Sequence, residues 1–219
     1  MSSVYVKRSD AVSCVMSTYN RNELLLKRSL PSVLSQSYPI AEIHIVADGM
    51  AQPEMYELTT ALAALDRPEI RLWWIQRQAY PEDPGQRWMV LGLNARNYAL
   101  DQAQGGWIAP LDDDDEWTPD HVERLLGAVR DQNADFAYGQ SVYHWPDGHP
   151  QMAGSWPPGM GAFCDGAQLY RNGLGYRYDP TCVARGLPED GDLWTRMVAG
   201  GVRFTFLPEI VHHYWVNPR

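Results

Sequence analysis

Trp107-Ile-Ala-Pro-Leu-Asp-Asp-Asp-Asp-Glu-Trp117 is an apolar run that ends in five consecutive acids. Its apolar part, 107–111, is short and follows Gly105-Gly106, which predicts a buried strand, because a helix needs more than about ten residues of apolar period. Asp112 to Glu116 then fall at a strand's carboxyl end, the edge where open α/β sheets bind ligands. Two unit charges about 4 Å apart interact by roughly 4 kcal/mol at an effective dielectric near 20, so carboxylates this dense require a positive partner. An oxygen-only set suits Mg²⁺ or Mn²⁺, and Mg²⁺ is typically held by one or two carboxylates while a substrate's phosphates fill other positions. The alternative is a solvated acidic turn whose Asp caps a helix starting near Thr118-Pro119. An EF-hand calcium loop fails, since its sixth position, counted from Asp112, requires Gly and holds Trp117.

Upstream of this stretch, strands and helices alternate. Val12 to Met16 reads as a strand that breaks into Ser17-Thr-Tyr-Asn20, and Leu24, Leu25, Leu26, Leu30, Val33 and Leu34 then recur with helical period, Asn20 or a neighbour being the N-cap. A second strand, Ile43 to Ala47, ends in Asp48-Gly49. A helix over about 54–65, a third strand at Ile70 to Ile75, a Pro- and charge-rich loop over 80–86 and an Ala-rich helix through Leu93, Arg96, Asn97, Leu100 and Ala103 complete this half. Such alternation predicts right-handed crossovers and a largely parallel sheet. Downstream, Val122 to Val129 marks a helix and 136–145 a strand. The Pro-, Gly-, Trp- and Tyr-rich stretch 145–175 reads as long and irregular. A helix behind Glu189, Asp190 and Asp192, and a short strand over 202–207, precede His212-His213.

The 219 residues, 45% of them hydrophobic, are enough for one domain with a sizeable core. No stretch approaches 18 consecutive apolar residues, and the N-terminus lacks the apolar centre of a signal peptide, so a soluble, cytoplasmic protein with no membrane span is expected. Cys14, Cys164 and Cys182 have no metal-ligand spacing and read as reduced thiols. The net charge of −9, with no basic run longer than two residues, argues against nucleic acid as a partner. Nine Trp and twelve Tyr against four Phe favour surfaces that meet partly polar molecules such as sugars, though buried Trp is ordinary core.

Five motifs now stand in order: Val12 to Arg21, Val46-Ala-Asp-Gly49, Asn94-Ala-Arg-Asn97, Leu111 to Trp117, and Pro188-Glu-Asp-Gly-Asp-Leu-Trp194. In that order they closely resemble the inverting family-two glycosyltransferases of GT-A fold. The resemblance covers nearly the whole chain and implies an α/β, Rossmann-like fold, a mostly parallel central sheet flanked by helices in a single domain over 1–219. Its donor half would be 1–117 and its acceptor and base half 118–219.

The same resemblance implies that Ser17, Tyr19 and Asp48 line a nucleoside pocket, Tyr19 flanking the base and Asp48 accepting from its polar edge. Asp112-Asp113-Asp114 matches the family's Asp-x-Asp element, to within one residue of register. Asp114 is then the principal metal ligand, and Asp112 and Asp113 contact the donor's ribose or sugar, with Asp112 also helping to hold the ion. Two readings of Arg96 stand side by side: contact with the donor, or a structural pair with one of the aspartates. Asp190 matches the catalytic base, with Glu189 as second candidate. The competing reading of these acids is that they only complement a helix dipole, worth roughly 0.3 to 1 kcal/mol each. A C-terminal His near the metal is implied too; alternation points one of the pair inward, and His213 is the choice. Trp145, Trp156 and Tyr170 form a candidate acceptor platform.

The expected protein is thus a transferase using Mn²⁺ or Mg²⁺ and a UDP-linked nucleotide sugar, with a small-molecule, glycan or protein hydroxyl as acceptor. Two alternatives are a non-catalytic nucleotide-sugar binding domain and a sugar nucleotidyltransferase. The second normally carries a Gly-rich, basic loop after its first strand, which Ser17-Thr-Tyr-Asn20 does not resemble.

Overall fold

A computed structural model describes residues 8–216. The first half runs β1 (Arg8–Thr18), helix α1 (22–34), β2 (Glu42–Asp48), α2 (Gln52–Ala64), β3 (Ile70–Ile75), α3 (Pro84–Trp88), α4 (Leu93–Gln102) and β4 (Gly105–Pro110). β2 and β4 are buried at every position, as expected of parallel strands covered on both faces. Strands β3, β2, β1 and β4 lie side by side and parallel, with Cys14 opposite Ile43 on one flank and Ala109 on the other. Asn20 is not the cap of α1: it takes the left-handed conformation at φ 54°, which Asn tolerates, and Arg21 stands at the N-cap without a side-chain bond. The five residues Leu25–Ser29 form a π turn inside α1.

The second half contains β5 (Glu116–Trp117), α5 (His121–Asp131), β6 (Phe136–His144), β7 (Pro150–Ala153), β8 (Gln168–Arg171), α6 (Glu189–Ala199) and β9 (Phe204–Trp215). The sheet continues β4-β8-β6-β9-β5, with β7 on β6. Here the parallel expectation gives way. β8 is antiparallel to both β4 and β6, β5 is antiparallel to β9, and only β6 and β9 run parallel. The stretch read as irregular therefore holds two strands. β8 is four residues long, too short to display a period, and its first residue is a buried Gln168 that accepts from Trp194 Nε1 at 2.8 Å. β9 is longer than the strand expected over 202–207; register shifts at Tyr138 to Ser141 of β6 absorb the interruption at Pro208-Glu209.

The helix expected from Thr118-Pro119 begins at His121. Asp120 makes no cap bond; Gln36 at the end of α1 supplies one, accepting from Val122 N at 3.1 Å while donating to the Thr118 carbonyl at 2.7 Å. Trp117 is fixed beside it, stacked on His121 at 4.3 Å and donating to the Gly166 carbonyl at 2.8 Å. The far end of the acidic run is thereby held.

Alternation along β1 sends Cys14 and Met16 to one face, with Ile43, Ile45, Leu58, Leu125 and Leu126, and Val15 to the other, with Val46, Ala99, Ile108, Phe136 and Trp194. Tyr170, expected on an acceptor platform, belongs to this second cluster, buried and stacked on Phe136 at 5.5 Å. The three cysteines are buried and unpaired with one another. Among the described residues no helix is long and apolar enough to cross a membrane.

At the opposite edge from the acidic run, buried Glu42 of β2 ties its own strand to β1, β3 and β4. It accepts from Ser13 Oγ at 2.6 Å, Gln104 N at 2.5 Å, Gly105 N at 2.9 Å and Arg71 Nη1 at 2.9 Å. Burial alone would raise its carboxyl, but bonds from His44, Ser13 and the two amides hold it at about 2, against a usual 4.5. A depressed carboxylate stabilises the fold above its unfolded pKa, and that contribution is lost as pH falls from 4.5 through about 2. Glu42→Gln should cost about 2 to 3 kcal/mol at neutral pH and nothing near pH 2, measured as urea midpoints across pH; an equal deficit at both pH values would refute the assignment.

Candidate active site

Four strand ends meet on one edge. β1 delivers Ser17 and Tyr19, β2 delivers Asp48, and the chain beyond β3 delivers Arg77 and Tyr80. Tyr80 donates its hydroxyl to Asp48 Oδ2, Arg77 Nε lies 4.0 Å from the same oxygen, and the Arg77 guanidinium covers the Tyr19 ring at 3.5 Å and the Tyr80 ring at 4.9 Å. Burial and Asp48 push the Tyr80 phenol up to about 12, so it stays a donor. Asp48 Oδ1 and Arg77 Nη1 are buried and find no hydrogen-bond partner among the described residues. Gly49 makes this approach possible, with φ +66° and room for no Cβ: one would lie 2.3 Å from Arg77 Cβ. Gly92, at φ +79°, does the same for Ser17, whose Oγ would be 2.8 Å from a Cβ there.

The four aspartates beyond β4 separate, and each takes its own partner. Asp112 receives Arg96 Nη2 at 2.5 Å. Asp113 receives Arg21 Nη1 at 3.3 Å, and the same nitrogen bonds Asp114. The Asp114 carbonyl accepts from Arg28 Nη1 at 2.8 Å, and Arg28 in turn lies over the Trp215 ring at 4.3 Å. Asp115 is 3.3 Å from His212 Nε2 and accepts from Trp215 N at 2.9 Å. Arg21 alone does not balance the Asp113 and Asp114 carboxylates. Burial, then the mutual repulsion of neighbouring carboxylates, pushes Asp113 up to about 6 and Asp114 up to about 7.

Among the described residues no three His, Cys, Asp or Glu side chains converge as a metal's protein ligands would. The set suits an ion shared with a phosphate ligand, for which one or two carboxylates suffice. His213, the expected ligand, faces away from the run: its Nδ1 is 2.9 Å from His144 Nε2. His212 is the inward one, buried between Asp115 and Ser141 Oγ at 3.0 Å. Alternation points one of the pair inward, as expected, and beyond the irregular pairing of β9 with β6 around residues 208–212 that one is His212. Burial alone would lower the His212 imidazole, yet Asp115 and Cys164 raise it to about 10.

Arg96 is buried and spends its guanidinium on three carboxylates: Asp112, Glu189 through Nη1 at 2.5 Å, and Asp165 through Nε at 3.5 Å. Of the two sequence readings, the structure brings it into the pairing one. Asp165 also accepts from Tyr178 OH at 3.1 Å, while Asn97 anchors Tyr178 by bonding both its N–H and its carbonyl at 3.0 and 2.8 Å. Glu189 is further fixed by donating its N–H to the Met89 carbonyl at 2.8 Å. Burial, with Asp190 and Asp165, holds its carboxyl up at about 8 against the pull of Arg96. Asp190 is partly exposed and accepts from Gly191 N at 2.6 Å; burial, and the charge of Asp112 across the site, raise its carboxyl. Met160 lies on the same helical turn, since a Cβ on Gly191 would be 2.4 Å from its sulfur. Exposed Trp156 and Met160 stand in one loop, whereas Trp145 stacks on His149 at 6.0 Å in the β6–β7 hairpin.

Sequence reasoning missed Arg21, Arg28, Arg77, Tyr80, Asp165 and Tyr178, and preferred His213 to His212. Arg77 and Tyr80 carry a usable signal, because they follow the third strand of the parallel set, whose carboxyl end lies on the same edge. Asp165 comes from the stretch read as irregular and Tyr178 from just beyond it, and no period points to either.

Residues 92–181 match the model of "Glycosyl transferase family 2". The chain is 28% identical over 137 residues to an uncharacterized glycosyltransferase of Acanthamoeba polyphaga mimivirus, covering 59% of this chain and 55% of that protein. It is 33% identical over 116 residues to the succinoglycan biosynthesis protein ExoO of Rhizobium meliloti, covering 52% of this chain and 28% of the relative. The chain thus spans about half or less of these relatives' length. Its fold matches the crystal structure of S. aureus TarS 1-349 in complex with UDP, with TM-score 0.67 at 18% identity over 95% of this chain and 61% of that one. Residues 92–181 thus resemble glycosyl transferase family 2 across less than half of the chain, and the chain as a whole takes the GT-A fold.

Proposed function

We propose that this chain is a metal-dependent, inverting glycosyltransferase that moves a sugar from a UDP-linked donor to an acceptor hydroxyl. The observation that carries the donor is the pair of orphaned atoms, one acceptor and one donor, beside the Tyr19 ring. Buried polar groups are normally paired, so a ligand is needed to satisfy them. Uracil presents one N–H donor flanked by carbonyl oxygens, which complements Asp48 Oδ1 and Arg77 Nη1. Guanine presents two adjacent donors and would need both oxygens of Asp48, one of which Tyr80 already occupies. The fold neighbour TarS has been crystallised with UDP, which supports the same nucleotide class.

From this pocket the diphosphate would run along the strand ends to Asp114. A Mn²⁺ or Mg²⁺ ion held by Asp114 with Asp112 would supply Lewis-acid stabilisation of the departing diphosphate. Asp190 takes the proton of the acceptor hydroxyl as its oxygen bonds to the anomeric carbon. The carbon–phosphate-oxygen bond breaks on the opposite side, the nucleotide diphosphate leaves with the electron pair, and configuration inverts. Glu189 is committed to Arg96, which leaves Asp190 as the base. The acceptor would approach past Met160 and Trp156, and a small-molecule, glycan or protein hydroxyl all fit this chemistry.

Calorimetric titration of UDP, GDP and dTDP, each with and without Mn²⁺, tests the donor side. UDP should bind only with Mn²⁺, GDP should bind at least about tenfold more weakly because one guanine donor goes unpaired, and dTDP, which lacks the ribose 2′-hydroxyl, should fall between them. Preference for GDP would overturn the base assignment; no metal-dependent binding of any of the three would overturn the transferase reading.

A further inference from the structure

Arg21 occupies an unusual place in this edge. It sits two residues beyond Tyr19 in the same turn, directly after left-handed Asn20, and its guanidinium lies on Asp113 and Asp114. Its side chain is 48% exposed, unlike buried Arg96, so it can leave without opening the core. Arg28, about two turns further on, holds the Asp114 backbone through the carbonyl and is itself fixed on Trp215, so the carboxylate stays in place whether or not Arg21 is there. A cation bound to Asp114 and a guanidinium bonded to the same oxygens exclude one another. A diphosphate running from the Tyr19 pocket to Asp114 passes the root of Arg21.

We propose that Arg21 is a resident cation that holds the place of the divalent ion on Asp114, and is exchanged onto the donor's phosphates when metal and nucleotide bind together. The exchange conserves charge pairing in both states: carboxylates with guanidinium before, carboxylates with metal and phosphate with guanidinium after. It also makes metal binding depend on the nucleotide, because Mn²⁺ alone must displace Arg21 with nothing to receive it. This rests on the metal-dependent donor site proposed above.

The test measures two affinities in the wild type, Arg21→Ala and Arg21→Lys: Mn²⁺ alone, by electron paramagnetic resonance of the free ion, and UDP at saturating Mn²⁺, by calorimetry. Arg21→Ala should bind Mn²⁺ alone about tenfold more tightly and UDP·Mn²⁺ about tenfold more weakly, the size of one charge-assisted hydrogen bond. Arg21→Lys, which keeps a compact charge, should lie nearer the wild type on both. Thermal unfolding of each variant establishes that the fold is retained. Unchanged or weaker Mn²⁺ binding by Arg21→Ala, while the wild type still binds UDP·Mn²⁺, overturns the exchange and leaves the donor site standing. Absence of Mn²⁺ binding by every variant, with and without UDP, overturns both.

Discussion

Asp190→Asn is expected to lower turnover by about 10²- to 10⁴-fold, the usual contribution of a positioned general base, while UDP·Mn²⁺ affinity stays within about twofold because the base makes no donor contact. The substitution is nearly isosteric, and its amide oxygen can still accept from Gly191 N, so helix α6 keeps its first turn. Turnover is read as UDP released from UDP-sugars with water as acceptor, which needs no knowledge of the natural acceptor. The pH dependence carries a further sign. A base must be ionised to act, so kcat/KM rises with pH through the carboxyl's pKa. Burial and the charge of Asp112 raise that carboxyl, placing the midpoint above the usual 3.8. Wild-type turnover in the variant would remove Asp190 from the mechanism and favour a chain that only binds the nucleotide sugar.

Arg96→Met should give the largest loss of stability, about 3 to 5 kcal/mol, since removing one partner of a buried ionic cluster leaves the others uncompensated. Asp112, Asp165 and Glu189 would then share the interior without a cation. For a chain of this size the melting temperature should fall by on the order of 10 °C. Burial already raises Asp165 to about 7 and Glu189 to about 8 with Arg96 present, and its loss raises them further. A carboxyl raised on folding stabilises below its unfolded pKa and loses that contribution as pH rises. The deficit relative to wild type should therefore shrink as pH is lowered from about 8 to about 5. A drop under about 2 °C at neutral pH would mean the cluster relaxes freely.

The strand-end edge was legible because parallel strands are short, continuous apolar runs and ligands gather at their carboxyl ends. Val12 to Met16, Ile43 to Ala47 and Trp107 to Leu111 declare themselves, and the acids and aromatics that follow them fall on one edge. What stayed hidden depends on long-range partners. Glu189 and Asp190 are adjacent in sequence and alike in chemistry, and only Arg96, 93 positions away from Glu189, separates a tethered carboxyl from a less committed one. His212 and His213 differ by one step of alternation, which a bulged register can reverse. Four consecutive aspartates look like one chelate, but Arg21, Arg96 and His212 arrive from three distant segments and divide them.

Strand β8 has a bearing on how the chain reaches this state. Its four residues join the four parallel strands to the rest of the sheet, yet they come late, at 168–171, some sixty residues after the strand they border. On a ribosome, the bare flank of β4 has to wait for that segment, and an unpaired flank is a template for pairing with another chain. Trp107 and Ile108, which pair with Arg171 and Tyr170 in the finished sheet, therefore stay open to a neighbouring chain until residues 168–171 emerge and dock.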